Sequence, residues 1–433
     1  MNRKLTNCIV GLVLLMALVC LTGSLTAQEN TPAVVPDNVL VIVNGVVIDG
    51  TGADPIPDGV VIIQDNRILA VGTADDFTIP ATATVIDAQG GTIMPGFINA
   101  HVHYVYTTSA QSRFLVEGLT TICDLASSLP DLSRLEQTPS SATPTPRIFA
   151  SGPFVTAPGG YPGPLHGQEL NYEVATPEEG RAAVIDLVGR GADYIKIPLD
   201  PVTARLNALE PETVQAIVEE AHAQGILVRA HMGAIARVDE LIAAGVDVIE
   251  HVPYPEWPSE AEGAILLTSA DPWAVFFDEM RPEYTAQLTQ IVEQGIVMVP
   301  TLDALVGTIY DTANPSPEEQ LELAGVLEIV RRFHAAGGVI ALGNDYNNYD
   351  VTQRLPLREM ELLLAAGLTP LEVIEAGTRN AAYACGQGDE LGTLEAGKLA
   401  DILIVNGNPL ADITVLTEVA WIILDGAVVV EPE

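Results

Sequence analysis

Two histidines stand two residues apart in Asn99-Ala-His101-Val-His103, and alternate residues of an extended chain share a face, so both imidazoles can point the same way. Four other polar residues end short β-branched runs at similar distances beyond a glycine. Lys196 comes five residues after Gly191, His231 six after Gly225, His251 six after Gly245 and Asp345 seven after Gly338. Imidazole and carboxylate are ligands for zinc and related divalent ions. The lysine is the odd member, because an ammonium has no lone pair to offer. Any one of these histidines alone reads as a core or surface side chain; their joint placement with a lysine and an aspartate reads as a metal site that activates water. The remaining histidines supply the contrast. His222 and His334 each precede a helix-ending glycine by three residues, where a partly charged imidazole meets the negative end of the helix dipole. His166 lies in a Gly/Pro-rich loop, where contact with substrate and simple exposure are both open.

Such residues need a scaffold that gathers strand ends. From residue 118 onward, a glycine closing a helical stretch is followed by a strand-like run at Gly118, Gly191, Gly225, Gly245, Gly295 and Gly338. Glycine supplies the left-handed conformation that stops a helix, so each unit is an α-to-β step. Strands over residues 92–102 and 147–155 bring the count to eight, and eight alternating units over about 290 residues match a (β/α)8 TIM barrel of the α/β class. A doubly wound open sheet is the alternative, although no glycine-rich phosphate fingerprint follows the first strand. In a barrel the active site lies at the C-terminal strand ends, where all six residues fall. Residues 39–87 and 401–430 carry short strands separated by Gly, Pro and Asp turns, and neither stretch can bury a core alone. The expected organisation is a barrel over 93–388 with a small β-sandwich built from both chain ends, 28–92 and 389–433. Proline-rich stretches at 139–146 and 253–272 read as insertions over the barrel mouth.

The chain has 433 residues, 48% hydrophobic and 18% charged, a core-forming composition. Its formal charge of -38 disfavours nucleic acid and anionic membranes as partners. Arg3 and Lys4 precede an apolar run from Ile9 to Leu21, too short to span a bilayer, and small and polar residues follow to Ala27. Residues 1–27 therefore read as a secretory signal peptide. The protein is expected to be secreted or periplasmic with no stable membrane insertion of the mature chain. An uncleaved N-terminal anchor is the alternative, and a homo-oligomer is open. Cys8 and Cys20 leave with the signal; Cys123 and Cys385 are too few for a disulfide framework, so the core must hold the fold.

The chain resembles the amidohydrolase superfamily, in its imidazolonepropionase-like and zinc-prolidase-like branch. The resemblance rests on Asn44-Gly45 with Asp49-Gly50, on Pro95-Gly96-Phe-Ile-Asn-Ala-His-Val-His103, on Tyr194-Ile-Lys196, on Ile249-Glu-His251 and on Gly343-Asn-Asp345. Leu391-Gly-Thr-Leu-Glu-Ala-Gly-Lys-Leu-Ala-Asp401 and Asn406-Gly-Asn-Pro409 extend it to the end of the chain. It implies that His101, His103 and Asp345 hold one divalent metal and His231 and His251 a second. Lys196, carboxylated by carbon dioxide, would bridge them. A carbamate is an anionic oxygen ligand, which accounts for the lysine, and the donor set suits zinc, with manganese, iron and cobalt also open.

The implied reaction is hydrolysis of an amide, peptide or cyclic amide bond in a small molecule such as an N-acyl amino acid, a dipeptide or an imidazolone-like ring. Metals would acidify a water and polarise a carbonyl, while Asp345 moves the proton to the leaving nitrogen. Tyr104, Tyr161, His166 and Tyr254 lie just past strand ends or in adjoining loops and are candidate lining residues. Tyr161 stands where prolidase-like relatives usually place a histidine, and Tyr346-Asn-Asn follows Asp345 in place of small residues, so the resemblance does not by itself carry a prolidase specificity. Two other readings exist. A mononuclear heterocycle deaminase usually lacks the fourth-strand lysine and carries a glutamate where this chain has Ala234. An inactive envelope binding protein would be expected to have lost a ligand, and all six are present.

Overall fold

The computed structural model describes residues 32–105, 108–136, 144–200, 205–255, 258–346 and 355–432. The expected signal peptide, most of the 139–146 stretch, residues 256–257 of the second proline-rich stretch, and Asn347 and Asn348 lie outside the described residues.

The repeated units form for local reasons. Helix Pro211–Ala223 opens on a proline, whose missing N–H is unneeded in a first turn, and the chain leaves it through Gly225 at φ 77°. In the last unit the left-handed glycine is Gly337 (φ 88°), one residue before the expected Gly338. A Cβ at Gly338 would meet the Phe333 ring at 2.3 Å, so that glycine serves close packing.

Seven barrel strands are regular: β1 Phe97–Val102, β2 Leu119–Asp124, β3 Arg147–Ala150, β4 Tyr194–Pro198, β5 Leu227–His231, β6 Val248–Glu250 and β7 Val297–Val299. Strands β1 to β3 pair in parallel, as do β4 to β7. The ring closes through residues 340–346, which bridge Met298 to Ile340 and Val102 to Tyr346. There Ala341 N–H donates to Met298 O at 2.8 Å and Ala100 N–H to Leu342 O at 2.9 Å. Between β3 and β4, Asp193 N–H donates to Ala150 O at 2.9 Å. Strand alternation separates two cores. Ile195, Ile197, Val228, Ala230 and Ile249 pack with helix residues such as Val184 and Ile217, while Tyr194, Val248, Val297 and Val299 belong to a second cluster. Burying each valine or isoleucine side chain among these contributes about 1.5–3 kcal/mol.

Two expected strands divide. Within 92–102, Thr92–Pro95 pairs with Ile402–Val405 in the end sheet, and only Phe97–Val102 enters the barrel. Gly96 marks the change; a Cβ there would strike Thr120 at 2.2 Å. Within 147–155, β3 stops at Ala150, and Phe154–Thr156 pairs outside the barrel with Asn171–Glu173.

The sandwich contributed by both ends is hydrogen-bonded as one mixed sheet. Its order runs Ala427–Val430, Val419–Leu424, Ile402–Val405, Thr92–Pro95, Leu40–Val47, Ile56–Gln64, Arg67–Thr73, with Thr84–Asp87 also paired to Leu40–Val47. Alternation buries both faces, with Ile42, Val61 and Ile63 in one cluster and Val41, Val60 and Ile62 in another. The two cysteines that are too few for a framework nevertheless form one crosslink, Cys123 of β2 to Cys385 just after helix Ala381–Ala384.

Candidate metal centre

His101 lies within β1, Lys196 within β4 and His231 at the end of β5; His103 and His251 follow strand ends, and Asp345 lies in the segment 340–346 that closes the ring. Around this mouth, Tyr104, His251, Thr301 and Asp345 have φ of 59°, 71°, 52° and 54°. Such non-glycine backbone costs of order 1–3 kcal/mol each and persists where the surroundings enforce it.

The side chains converge. His101 Nε2 is 3.2 Å from His103 Nε2 and 3.4 Å from Asp345 Oδ1, and His103 Nε2 is 3.0 Å from that oxygen. One donor atom from each of the three residues lies within 4.8 Å of the others, a compact metal-capable group. The His231 and His251 rings are 4.5 Å apart, and His251 is 5.2 Å from His101. Lys196 is buried and its Nζ has no hydrogen-bond partner among the described residues, the Phe154 ring centroid lying 5.6 Å away. All six residues line one cavity of about 870 Å³ including its open mouth.

Electrostatics favours the ligating forms. Burial lowers His101 and His231 to about 4 and His251 well below the ordinary imidazole value, so the rings are neutral. Burial also brings Lys196 down to about 7, aided by Arg229 and opposed by Glu250 and Asp345. For Asp345 burial acts upward, yet His101 and His103 hold its carboxyl below the usual carboxylate range. Neutral imidazoles, an ionised carboxylate and an orphaned buried amine fit divalent ions as a donor set.

Residues 92–429 match the family model described as "Amidohydrolase family". The chain belongs to the amidohydrolase family. It is a hydrolase acting on carbon–nitrogen bonds, and members of the family bind metal ions. The chain is 24% identical over 400 residues to the imidazolonepropionase of Geobacillus sp. (strain WCH70), covering 81% of this chain and 84% of that one. It is 26% identical over 440 residues to the ochratoxinase of Aspergillus niger, covering 88% and 84%. In fold it matches a Xaa-Pro dipeptidase with bound methionine at a TM-score of 0.70 and 24% identity, over 90% of this chain and 99% of that one.

Behind the candidate ligands of this amidohydrolase lies a polar layer that the sequence patterns did not single out. His101 Nδ1 is 2.8 Å from Glu250 Oε2, and Arg229 Nε donates to Glu250 Oε1 at 2.7 Å. Arg229 also donates to Ala100 O at 2.7 Å and sits 5.0 Å over the Tyr194 ring. His251 Nδ1 lies 2.7 Å from Thr301 Oγ1. Partners of this kind set the tautomer and orientation of ligating histidines. A signal for two of them exists in strand alternation: Tyr194 and Arg229 stand two residues before Lys196 and His231, on the same strand face.

Tyr104, Tyr161 and His166 line the cavity of the amidohydrolase. Tyr254 is not among the lining residues. It is held in a bridge to Ala234, with Tyr254 N–H donating to Gly233 O and Ile235 N–H to Tyr254 O, both at 2.8 Å, which ties it to the loop after β5. His222 and His334 stand apart from the centre, His222 3.0 Å from Asp247 and His334 3.1 Å from Glu372.

Proposed function

We propose that this amidohydrolase is an exported binuclear enzyme, with two divalent ions, best suited to zinc, and a carboxylated Lys196 between them. The bond cleaved is the carbon–nitrogen bond of a small amide, peptide or cyclic amide; dipeptides, N-acyl amino acids and imidazolone-like rings are the classes to screen. One observation carries the binuclear assignment. Lys196 Nζ is fully buried, has no hydrogen-bond partner among the described residues, and shares its cavity with His101, His103, His231, His251 and Asp345. An amine left there unmodified is an unsatisfied polar group at a cost of about 1–3 kcal/mol, whereas a carbamate gives it anionic oxygens and a purpose.

His101, His103 and Asp345 would hold one ion and His231 and His251 the other. When bound, such ions polarise the scissile carbonyl and acidify water at neutral pH. Asp345 is the base of the site, since its carboxyl is ionised and opens on the cavity, and it carries a proton to the leaving nitrogen. Glu250 and Thr301 orient His101 and His251 from behind. Tyr161, 4.7 Å from the His231 ring, shields that ligand on the loop side. Export is supported by Arg3, Lys4 and the short apolar run that follows, and by a disulfide that an oxidising compartment preserves.

The test is elemental analysis of protein loaded with zinc and ¹³C-labelled bicarbonate. Two ions per chain and a carbamate carbon resonance are expected, both lost in Lys196→Ala together with turnover. A Lys196→Ala protein that retains two ions and normal turnover would end the bridging assignment.

A further inference from the structure

One stretch of chain builds an entire side of the cavity. Phe154, Tyr161, Pro162, Leu165, His166 and Leu170 all line it. They run outward from the metal ligands: Phe154 lies beside Lys196, Tyr161 beside His231, and Leu165 at the rim is 55% exposed. Phe154 and Leu170 form with Ala126 a small apolar cluster separate from the barrel cores, and Tyr161 packs against it, its ring 5.6 Å from that of Phe154. The strip is preformed. Gly163 N–H donates to Asn171 Oδ1 at 2.8 Å, Asn171 Nδ2 to Gly160 O at 3.0 Å, and Asn207 Nδ2 to Pro158 O at 2.6 Å.

The charge along this side is as informative as its apolarity. Among the described residues lining the cavity, Lys196 is the sole lysine or arginine, and it belongs to the ligand set. No guanidinium or free ammonium of those residues is available to pair with a carboxylate on the substrate, in a chain with 57 acidic residues against 19 basic ones. Away from the proposed zinc ions, a carboxylate laid along Phe154 and Leu170 meets no cationic side chain except the imidazole of His166, whereas an aryl or branched alkyl group gains by covering them.

We infer that the substrate is an uncharged amide whose flanking aryl or branched alkyl group lies along residues 154–170, with Leu165 selecting for it at the rim. This rests on the metal-dependent amide hydrolysis proposed above and narrows it: dipeptides and N-acyl amino acids, which carry a free carboxylate, become the poorer substrates.

Two amides that differ only by a carboxylate test it, N-benzoylphenylalanine and N-(2-phenylethyl)benzamide. For the zinc-loaded full chain, kcat/KM for the neutral amide should exceed that for the acid by about tenfold or more. Leu165→Asp should lower kcat/KM for the neutral amide about tenfold, mainly through KM, with zinc content unchanged. Leu165→Arg, which places a cation at the rim, should narrow the gap by improving the acid. Preference for the acid, or a ratio that neither variant moves, overturns the substrate class and leaves the hydrolase proposal intact. Failure to cleave either amide with two zinc ions bound also overturns the substrate class alone. Failure of the wild-type chain to retain zinc overturns the metal proposal beneath it.

Discussion

Glu250 and His101, 149 residues apart in the chain, meet at 2.8 Å in a wholly buried pair. A carboxylate can only accept, so His101 Nδ1 carries the proton and Nε2 turns its lone pair toward His103 and Asp345. Burial acts to raise the Glu250 carboxyl, but Arg229, Lys196 and His101 hold it well below the ordinary range. Glu250→Gln removes the charge that fixes this tautomer and leaves Arg229 uncompensated. Zinc affinity, measured by competition with a chelator, should fall about 10- to 100-fold. Denaturant midpoints should fall as well, because a buried charge that loses its partner costs about 3–5 kcal/mol. Unchanged zinc affinity in a folded variant would remove Glu250 from the site.

Asp345→Asn keeps the shape and one oxygen ligand but loses the basic site. Metal content should largely survive, while kcat on amides with poor amine leaving groups falls about 10²- to 10⁴-fold. Activated anilides, whose nitrogen leaves with less protonation, should suffer less. Wild-type turnover with both ions bound would assign the proton transfer to another residue.

Glu359 gives the fold a pH dependence of its own. It is buried and accepts hydrogen bonds from the backbone N–H groups of Leu302, at 3.0 Å, and Asp303, at 2.6 Å, at the start of helix Leu302–Tyr310. Burial pushes its carboxyl up to about 8 from an ordinary 4.5, with those hydrogen bonds acting the other way. A folded value above the unfolded one means the group's contribution is full below about 4.5, declines as pH rises and is gone above about 8. Glu359→Gln stays neutral throughout. Chemical denaturation should therefore show the wild type losing more stability than the variant across that window, and equal losses would count against a neutral buried Glu359.

The proposed export has two independent readouts. Intact mass of protein from the cell envelope or medium should begin near Gln28, and Met1 still attached would rule out cleavage. Mature protein, left with Cys123 and Cys385 as its cysteines, should show no titratable thiol when denatured without reductant. Replacing both by alanine should cost about 2–5 kcal/mol, since the bond closes a long loop. Two free thiols in the exported protein would refute the crosslink.

Local rules made much of this protein legible. A helix stops where a left-handed glycine lets it, strand residues alternate between faces, and imidazoles and carboxylates bind metals wherever they are gathered. These rules act within a few residues, so they identified the barrel steps and the six groups His101, His103, Lys196, His231, His251 and Asp345. They also set apart His222 and His334, which pair on the outside with Asp247 and Glu372.

Tertiary structure decided what depends on closure of the ring. Residues 92–102 divide because Ile402–Val405 returns from the far end of the chain to pair with the first half. Tyr254 is not among the residues lining the cavity, and its backbone pairs across the mouth with residues 233 and 235. Glu250, beside His251 in sequence, serves His101 across the barrel, and Cys123 reaches Cys385 over a separation of 262 residues. Composition and spacing describe neighbours along a chain, whereas each of these contacts joins segments that become neighbours only once the barrel has closed in a particular register.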